Sequence, residues 1–233
     1  MAVERKTQRV LEMTAAPLRS SGRESRIYRL IVHEIEGELQ VKESGDSRLL
    51  PEYCPQRHMN DNGSFCLGLV AGSGICDATT ANRWWQRLQV FLTCQETAHE
   101  TGVWPEYAQL SHGVAGEYEY QAEELARTLG VLGEYRDSVR YDTGQIACFA
   151  GRVDRSSLRL RNGRARCPCG RTDRAGRPIL RRQCWKAQHR CLAVLEFKRR
   201  QALERFWASI KDKHQCCGTM TDCPLQSTSA SSS

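Results

Sequence analysis

Residues 51–69 read PEYCPQRHMNDNGSFCLGL, and the interpretation of the whole chain starts from this stretch. It has neither the alternation of a strand nor the apolar period of a helix, and it is rich in Pro, Asn, Gly, Cys and His. A long loop of this composition on a folded scaffold is often functional, because loops carry chemistry that a rigid core positions. The sequence therefore predicts a functional loop that includes Cys66.

Cys66 is the candidate nucleophile of this loop. A catalytic cysteine needs an exposed thiol, a route to the thiolate and hydrogen-bond donors near the developing oxyanion. Asn60 could supply such a donor through its side-chain amide or brace the loop, and His58 could brace the loop in the same way. The alternative interpretation is that Cys66 is a small buried hydrophobic residue between Phe65 and Leu67.

The segments around the loop predict a small antiparallel sheet followed by helices. Residues 1–16 predict a short helix that ends at Pro17. Two strands are predicted at 27–34 and 38–42, with a turn at Gly37. Further helices are predicted at residues 81–100, 117–129 and 186–213.

Composition limits the class of protein and its compartment. With 233 residues, 40% of them hydrophobic and 26% charged, the chain can form a real core and is not disordered throughout. Its longest apolar stretch is too short to span a bilayer, and the opening MAVERKTQRV lacks the apolar core of a signal peptide. We therefore expect a cytoplasmic protein without a membrane partner, in which twelve cysteines serve metal binding or catalysis.

The charge is distributed unevenly along the chain. The net charge is +7, but residues 152–213 contain 19 Lys and Arg against 5 Asp and Glu, which is +14. Such a difference between segments predicts different partners for them. The basic segment could bind nucleic acid through its phosphates or dock an acidic protein.

The same basic segment carries a candidate zinc site. The sequence RCPCG at 166–170 forms a knuckle with Cys167 and Cys169, and Cys184 follows. Structural zinc takes four ligands in a tetrahedron, so a fourth is required. Cys191 is the preferred fourth ligand and His189 is the alternative.

The sequence divides the chain into three parts. Residues 1–145 are predicted to form the domain that carries Cys66, and residues 146–215 a basic, cysteine-rich zinc module with a helix. Residues 216–233 end in QSTSASSS and are predicted to be a disordered tail.

The order of motifs in the first part resembles a known family. His58-Met59-Asn60, then Gly63, then Cys66-Leu67 stand as in ubiquitin-conjugating enzymes, with Met59 in place of that family's proline. The stand-alone conjugating proteins of bacterial anti-phage CBASS operons share further landmarks. In this chain these are Cys54-Pro55, Arg57-His58, Trp84-Trp85, Trp104-Pro105 and His112-Gly113. The resemblance covers about residues 1–140, and the cysteine-rich stretch resembles the small SEC-C zinc motif.

The resemblance implies an α+β, ubiquitin-conjugating-enzyme-like fold: an N-terminal helix, a small antiparallel meander, an active-site loop and C-terminal helices, followed by the zinc module. It implies that Cys66 accepts the C-terminal carboxyl of another protein as a thioester and passes it to an amine, with Asn60 as oxyanion or loop support and His58 as a structural brace. The conjugated protein would be a cyclic-oligonucleotide synthase and the acceptor an unidentified protein. No Gly-rich phosphate cradle precedes a predicted helix, so activation of that carboxyl is expected from elsewhere.

Two alternative functions and one question of assembly stay open at this point. One is a non-catalytic adaptor in which the basic module binds nucleic acid or an acidic partner. Another is a redox protein that uses Cys54 and Cys66 as its thiol pair. The question of assembly is whether the chain forms a homodimer, with which the sequence is compatible.

Overall fold

The computed structural model describes residues 9–17, 25–45, 48–69, 71–161, 164, 166–167, 172–183, 191–211 and 213–226. The chain divides into two compact units. The first comprises Met1–Leu110 with Lys211–Ser233, and the second comprises Ser111–Ile210. Among the described residues, no helix has both the length and the apolar character to cross a membrane.

The first unit contains a three-stranded antiparallel sheet. Its strands are β1 (Arg9–Ala15), β2 (Tyr28–Ile35) and β3 (Glu38–Glu43), in the order β1-β2-β3. Alternation along β2 buries Tyr28, Leu30 and Val32, because successive side chains of a strand point to opposite faces.

The predicted N-terminal helix over residues 1–16 is wrong for the described part of that range. Residues 9–15 form strand β1, which pairs with β2 from Arg9 opposite Glu34 to Ala15 opposite Tyr28. The edge of β2 offers a complete row of backbone partners, and this tertiary pairing overrides a weak helical pattern. Residues 1–8 lie outside the described residues.

Helix α1 (Ala78–Thr101) packs into the same core as the sheet. It begins at Asp77, whose carboxylate accepts a hydrogen bond from the Thr80 backbone N–H at 2.7 Å, while the Thr80 hydroxyl accepts from the Asp77 N–H at 3.1 Å. This reciprocal cap satisfies donors that the first turn leaves unpaired. The helix buries its apolar face into the core through Trp84, Leu88, Phe91 and Leu92.

The second unit is built of helices. They are α2 (Val114–Leu129), α3 (Leu132–Tyr141), α4 (Gly144–Ala150) and α5 (Leu192–Ile210), and α5 packs against α2 and α4. The division predicted at residue 145 differs from the structure, because residue 145 lies within α4. The prediction followed the change in charge, whereas the packing of α2 on α5 joins acidic and basic segments in one unit.

The C-terminal segment, residues 213–226, belongs to the first unit. Met220 and Cys223 are each only 5% exposed within its core. The Gln56 side chain donates to the Asp222 carbonyl at 2.8 Å. The predicted disordered tail is therefore wrong for residues 216–226, because buried side chains and hydrogen bonds fix them; residues 227–233 lie outside the described residues.

Gly102 joins this segment to the end of α1. The Thr221 N–H donates to the Gly102 carbonyl at 2.8 Å. Gly102 has a φ of +70°, and a Cβ built on it would lie 2.6 Å from the Thr221 hydroxyl oxygen. Only glycine meets both the left-handed backbone conformation and the close approach without strain.

We predict that Gly102→Ala loosens the C-terminal segment. The left-handed φ alone costs a side chain roughly 1–2 kcal/mol, and the steric contact with Thr221 adds to it. Hydrogen exchange should show the Thr221 amide exchanging at least about tenfold faster than in the native chain. Gly37→Ala is the matched control, because Gly37 has a φ of +81° with nothing within 4 Å of the added Cβ. Equal exchange at Thr221 in both variants would contradict the prediction.

Candidate active site

The loop before Cys66 is held by its own backbone hydrogen bonds. The Cys54 carbonyl accepts from the N–H groups of Arg57 and Met59, each at 3.0 Å. At the other end, the Cys66 N–H donates to the His58 carbonyl at 2.8 Å. His58 has a φ of +53°, which turns the chain sharply between these two anchors. The backbone therefore presents Cys66 from a defined turn.

Arg57 fixes this loop to helix α1. Its side chain is 1% exposed; Nε donates to the Gln95 side-chain oxygen at 2.7 Å, and Nη2 donates to the Gln95 carbonyl at 3.1 Å. The Gln95 amide returns a hydrogen bond to the Arg57 carbonyl at 2.7 Å. Arg57 Nη1 also donates to the Thr219 hydroxyl at 3.2 Å. One buried guanidinium thus connects the loop, the helix and the C-terminal segment.

Cys66 lines a cavity of about 340 Å³ in the first unit. His58 lies in the same wall, and Arg83 and Arg87 contribute two positive charges. The remainder of the lining is mainly apolar and consists of Leu67, Gln86, Val90, Phe91, Cys94, Trp104, Ala108 and Leu110. A cavity of this size and character suits a small molecule or a short stretch of extended peptide.

The thiol of Cys66 is half-buried, and its environment favours the protonated form. Burial raises the pKa of the Cys66 thiol, an effect that the backbone N–H of Gly68 partly offsets. The thiol form of Cys66 is therefore favoured over the thiolate at physiological pH. A thiol of raised pKa forms a strong nucleophile once it is deprotonated.

His58 and Asn60 occupy different surroundings. The His58 imidazole is 1% exposed, and its ring centre lies 4.9 Å from that of Trp104 in the cavity wall. The Asn60 amide nitrogen donates to the Ser64 hydroxyl at 2.9 Å, and the Asn60 N–H donates to the Ser64 carbonyl at 2.9 Å. Asn60 is not among the described residues that line the cavity. This arrangement favours loop support over oxyanion binding for Asn60.

Sequence reasoning missed Arg83 and Arg87 as parts of this site, and it favoured a core position for Cys94 without placing it beside Cys66. Cys94 is fully buried, lines the same cavity as Cys66, and shares a hydrogen bond with the Tyr107 hydroxyl at 3.7 Å. The signal that could have found them is helical spacing, because Arg83, Arg87 and Cys94 recur every three or four positions with Val90 on one face of α1.

The structure also places Cys54 and His112, which the sequence analysis singled out. Cys54 lies with its Sγ 3.0 Å from the Sγ of Cys217, so the structure pairs it with the C-terminal segment. His112, a second landmark of the sequence, belongs to the second unit, where its ring stacks on Phe206 at 5.0 Å between centres. Burial lowers the pKa of His112 to about 4.

The predicted zinc ligands are only partly within the described residues. Cys167 and Cys191 are buried in the second unit, both close enough to Arg181 to interact with it electrostatically. Cys169, Cys184 and the alternative ligand His189 lie outside the described residues. Among the residues that the structure describes, no group of three or more His, Cys, Asp or Glu side chains is arranged to hold a metal ion.

Comparison with known families agrees with the two-part organisation. Residues 1–106 match the family model of the prokaryotic E2 domain, and residues 111–225 match that of a cysteine-rich domain, C-terminal to E2 domain. No curated protein and no solved structure matches the chain. The two consecutive matches support a prokaryotic E2-like protein, in which a small antiparallel sheet and helices form an α+β E2-like domain.

We predict that Cys66 reacts slowly with iodoacetamide at neutral pH. Its burial and raised pKa keep the thiolate scarce, so peptide mass mapping should show alkylation several-fold slower than at exposed Cys76. Because the thiolate population grows as pH approaches a raised pKa, the Cys66 rate should still be increasing between pH 8 and about pH 9. In urea the two cysteines should react alike. Faster alkylation of Cys66 than of Cys76 in the folded chain would contradict the environment described here.

Proposed function

We propose that the chain is an E2-like transferase in which Cys66 carries a partner protein as a thioester and passes it to an acceptor amine. The observation that carries this proposal is the half-buried Cys66 thiol in the wall of a mainly apolar cavity with His58 beside it. The prokaryotic E2 match over residues 1–106 supports the same reaction class.

The proposed reaction consists of two acyl transfers. In the first, the sulfur of Cys66 attacks the carbonyl carbon of a partner C-terminus already activated as a thioester. The new C–S bond forms, the previous thiol leaves, and the proton of Cys66 passes to that leaving sulfur. In the second, an acceptor amine attacks the same carbonyl and Cys66 leaves as a thiol. The balance requires no oxidant or metal.

The cavity provides the means to hold the extended C-terminus. Its mainly apolar wall offers a surface against which the extended C-terminus can pack beside Cys66. Arg83 and Arg87 lie exposed on the outer turns of α1 and favour acidic side chains in the incoming segment. His58 supports the wall from the loop side through its contact with Trp104.

We infer that the conjugated protein is a bacterial cyclic-oligonucleotide synthase acting in anti-phage CBASS defence, and that the acceptor is another protein. The motif order from Cys54-Pro55 to Trp104-Pro105 supports this inference through its resemblance to stand-alone CBASS conjugating proteins. The basic segment 152–213 favours a second candidate, a non-catalytic adaptor for nucleic acid or an acidic protein.

We predict a thiol-labile adduct on Cys66 in cells that also contain the synthase and an enzyme that activates its C-terminus. Intact mass should show the adduct in the native chain and in Cys76→Ser and Cys94→Ser. In Cys66→Ser it should be absent or replaced by an ester that resists thiols, because a serine ester does not exchange with thiols.

Two outcomes would contradict the transferase proposal. An adduct that stays thiol-labile in Cys66→Ser would assign the nucleophile elsewhere. Absence of any adduct with the activating enzyme present, together with a salt-dependent shift of mixed oligonucleotides, would favour the adaptor.

We also propose that the cysteine-rich domain binds one structural zinc ion through Cys167, Cys169, Cys184 and Cys191. The donor set fits zinc, which prefers thiolates in closed four-ligand sites. The burial of Cys167 and Cys191 and the cysteine-rich family match support it. Bound zinc would stabilise the folded domain, and this chain's residues would serve as ligands only.

We predict that the purified chain contains stoichiometric zinc that depends on this domain. Elemental analysis should find the metal largely lost in Cys167→Ser and Cys191→Ser, because three ligands bind zinc far less tightly than four. Cys148→Ser is the matched control, since Cys148 is an exposed cysteine of the same unit. If Cys191→Ser keeps its full zinc content and His189→Ala loses it, the fourth ligand is His189 rather than Cys191. Full zinc in Cys167→Ser would overturn the site.

A further inference from the structure

The C-terminal segment brings a second thiol to the base of the active-site loop. The Sγ atoms of Cys54 and Cys217 lie 3.0 Å apart, although the two residues are 163 positions apart in sequence. Cys54 is 1% exposed in the core of the first unit, and Cys217 is half-buried. This separation needs only a small approach of the two sulfurs for a covalent bond to form.

The two thiols differ in their readiness to lose a proton. The hydrogen bond shared with Cys54 lowers the pKa of Cys217 to about 5, with further support from Thr219 and from the positive charge of Arg57. The same hydrogen bond, with burial, raises the pKa of Cys54. The environment therefore favours the deprotonated form at half-buried Cys217 and the protonated form at buried Cys54.

Hydrogen bonds already fix the segment that carries Cys217 on this loop. Gln56 donates to the Asp222 carbonyl at 2.8 Å, and Arg57 donates to the Thr219 hydroxyl at 3.2 Å. The Cys54 carbonyl in turn accepts the N–H of Met59 at the turn that precedes Cys66. A bond between the two sulfurs would therefore connect the segment covalently to the loop of the candidate nucleophile.

We propose that Cys54 and Cys217 form a reversible redox pair, a disulfide site that is separate from Cys66 and independent of the transferase proposal. The oxidant is a small-molecule disulfide such as oxidised glutathione. The Cys217 thiolate attacks one of its sulfurs, a mixed disulfide forms and one glutathione thiolate leaves. Cys54 then loses its proton, its sulfur attacks Cys217, and the second glutathione thiolate leaves. The pair gives up two electrons and the oxidant becomes two thiols.

Two further cysteines, Cys216 and Cys223, lie near Cys217 and suggest an explanation that competes with the redox pair. Cys216 and Cys223 share a hydrogen bond, and Cys223 also interacts electrostatically with Cys217. Although no group of the described residues is arranged to hold a metal ion, a metal that recruits all four thiols is the competing outcome. The test must therefore distinguish a disulfide between one pair from a site that needs all four sulfurs.

The test treats the full-length reduced chain with oxidised glutathione at pH 6 and pH 7.5 and maps disulfide-linked peptides by mass. We expect a Cys54–Cys217 link that reduced thiols reverse. Cys54→Ser should stop at a glutathione adduct on Cys217, and Cys217→Ser should yield neither product. Cys216→Ser is the matched control and should still form the link, because Cys216 is the adjacent half-buried cysteine. Iodoacetamide at pH 6 should modify Cys217 at least about tenfold faster than Cys76, since a thiolate of lowered pKa persists at that pH.

Three results would overturn the proposal. One is a link that joins Cys54 to Cys66, or Cys216 to Cys223, while Cys217 remains reduced. Another is slow alkylation of Cys217 at pH 6 in the native chain, a measurement that does not depend on any variant folding. The third is bound zinc that blocks oxidation until the zinc is chelated. If this zinc is lost equally in Cys54→Ser, Cys216→Ser and Cys217→Ser, the four thiols bind a metal instead.

Discussion

A guanidinium buried in the first unit is the constraint on which the rest of the site depends. Arg57 is removed from water, and burial lowers its pKa because an isolated buried charge is costly. Its cost is offset by hydrogen bonds to Gln95 and Thr219 and by electrostatic interaction with the Cys54 and Cys217 sulfurs. The loop, helix α1 and the C-terminal segment therefore come together as one arrangement, since loss of the helix or of the segment removes part of the hydrogen bonding of this charge.

The cavity and the C-terminal segment give two cysteines opposite properties within one unit. Cys66 lies where burial favours the thiol, which protects its sulfur from oxidation. In the proposed transfer this sulfur would react only when a carbonyl is presented to it. Cys217 lies where a hydrogen bond and a cation favour the thiolate. If both proposals hold, this difference in environment would let one cysteine serve acyl transfer while another exchanges with disulfides.

The sequence predicted those strands and helices whose pattern lies within a few neighbouring residues. The alternation of β2 and the apolar face of α1 appear in the sequence, and so does the order of His58, Asn60 and Cys66. Strand β1 could not be predicted, because its pairing depends on the edge of β2. The ordered structure of residues 216–226 could not be predicted, because their hydrogen-bond partners, Gln56, Arg57 and Gly102, lie more than a hundred residues earlier.

The path of the chain has a consequence for its synthesis. The sheet and α1 emerge from the ribosome first, then the helices of the second unit, and only afterwards the segment that completes the first unit. Until residues 213–226 are made, the nascent chain exposes the apolar surface that Met220 and Cys223 later cover and leaves Arg57 without Thr219. Contacts of such long sequence separation form slowly, so completion of the site follows release of the full segment rather than synthesis of the loop that bears Cys66.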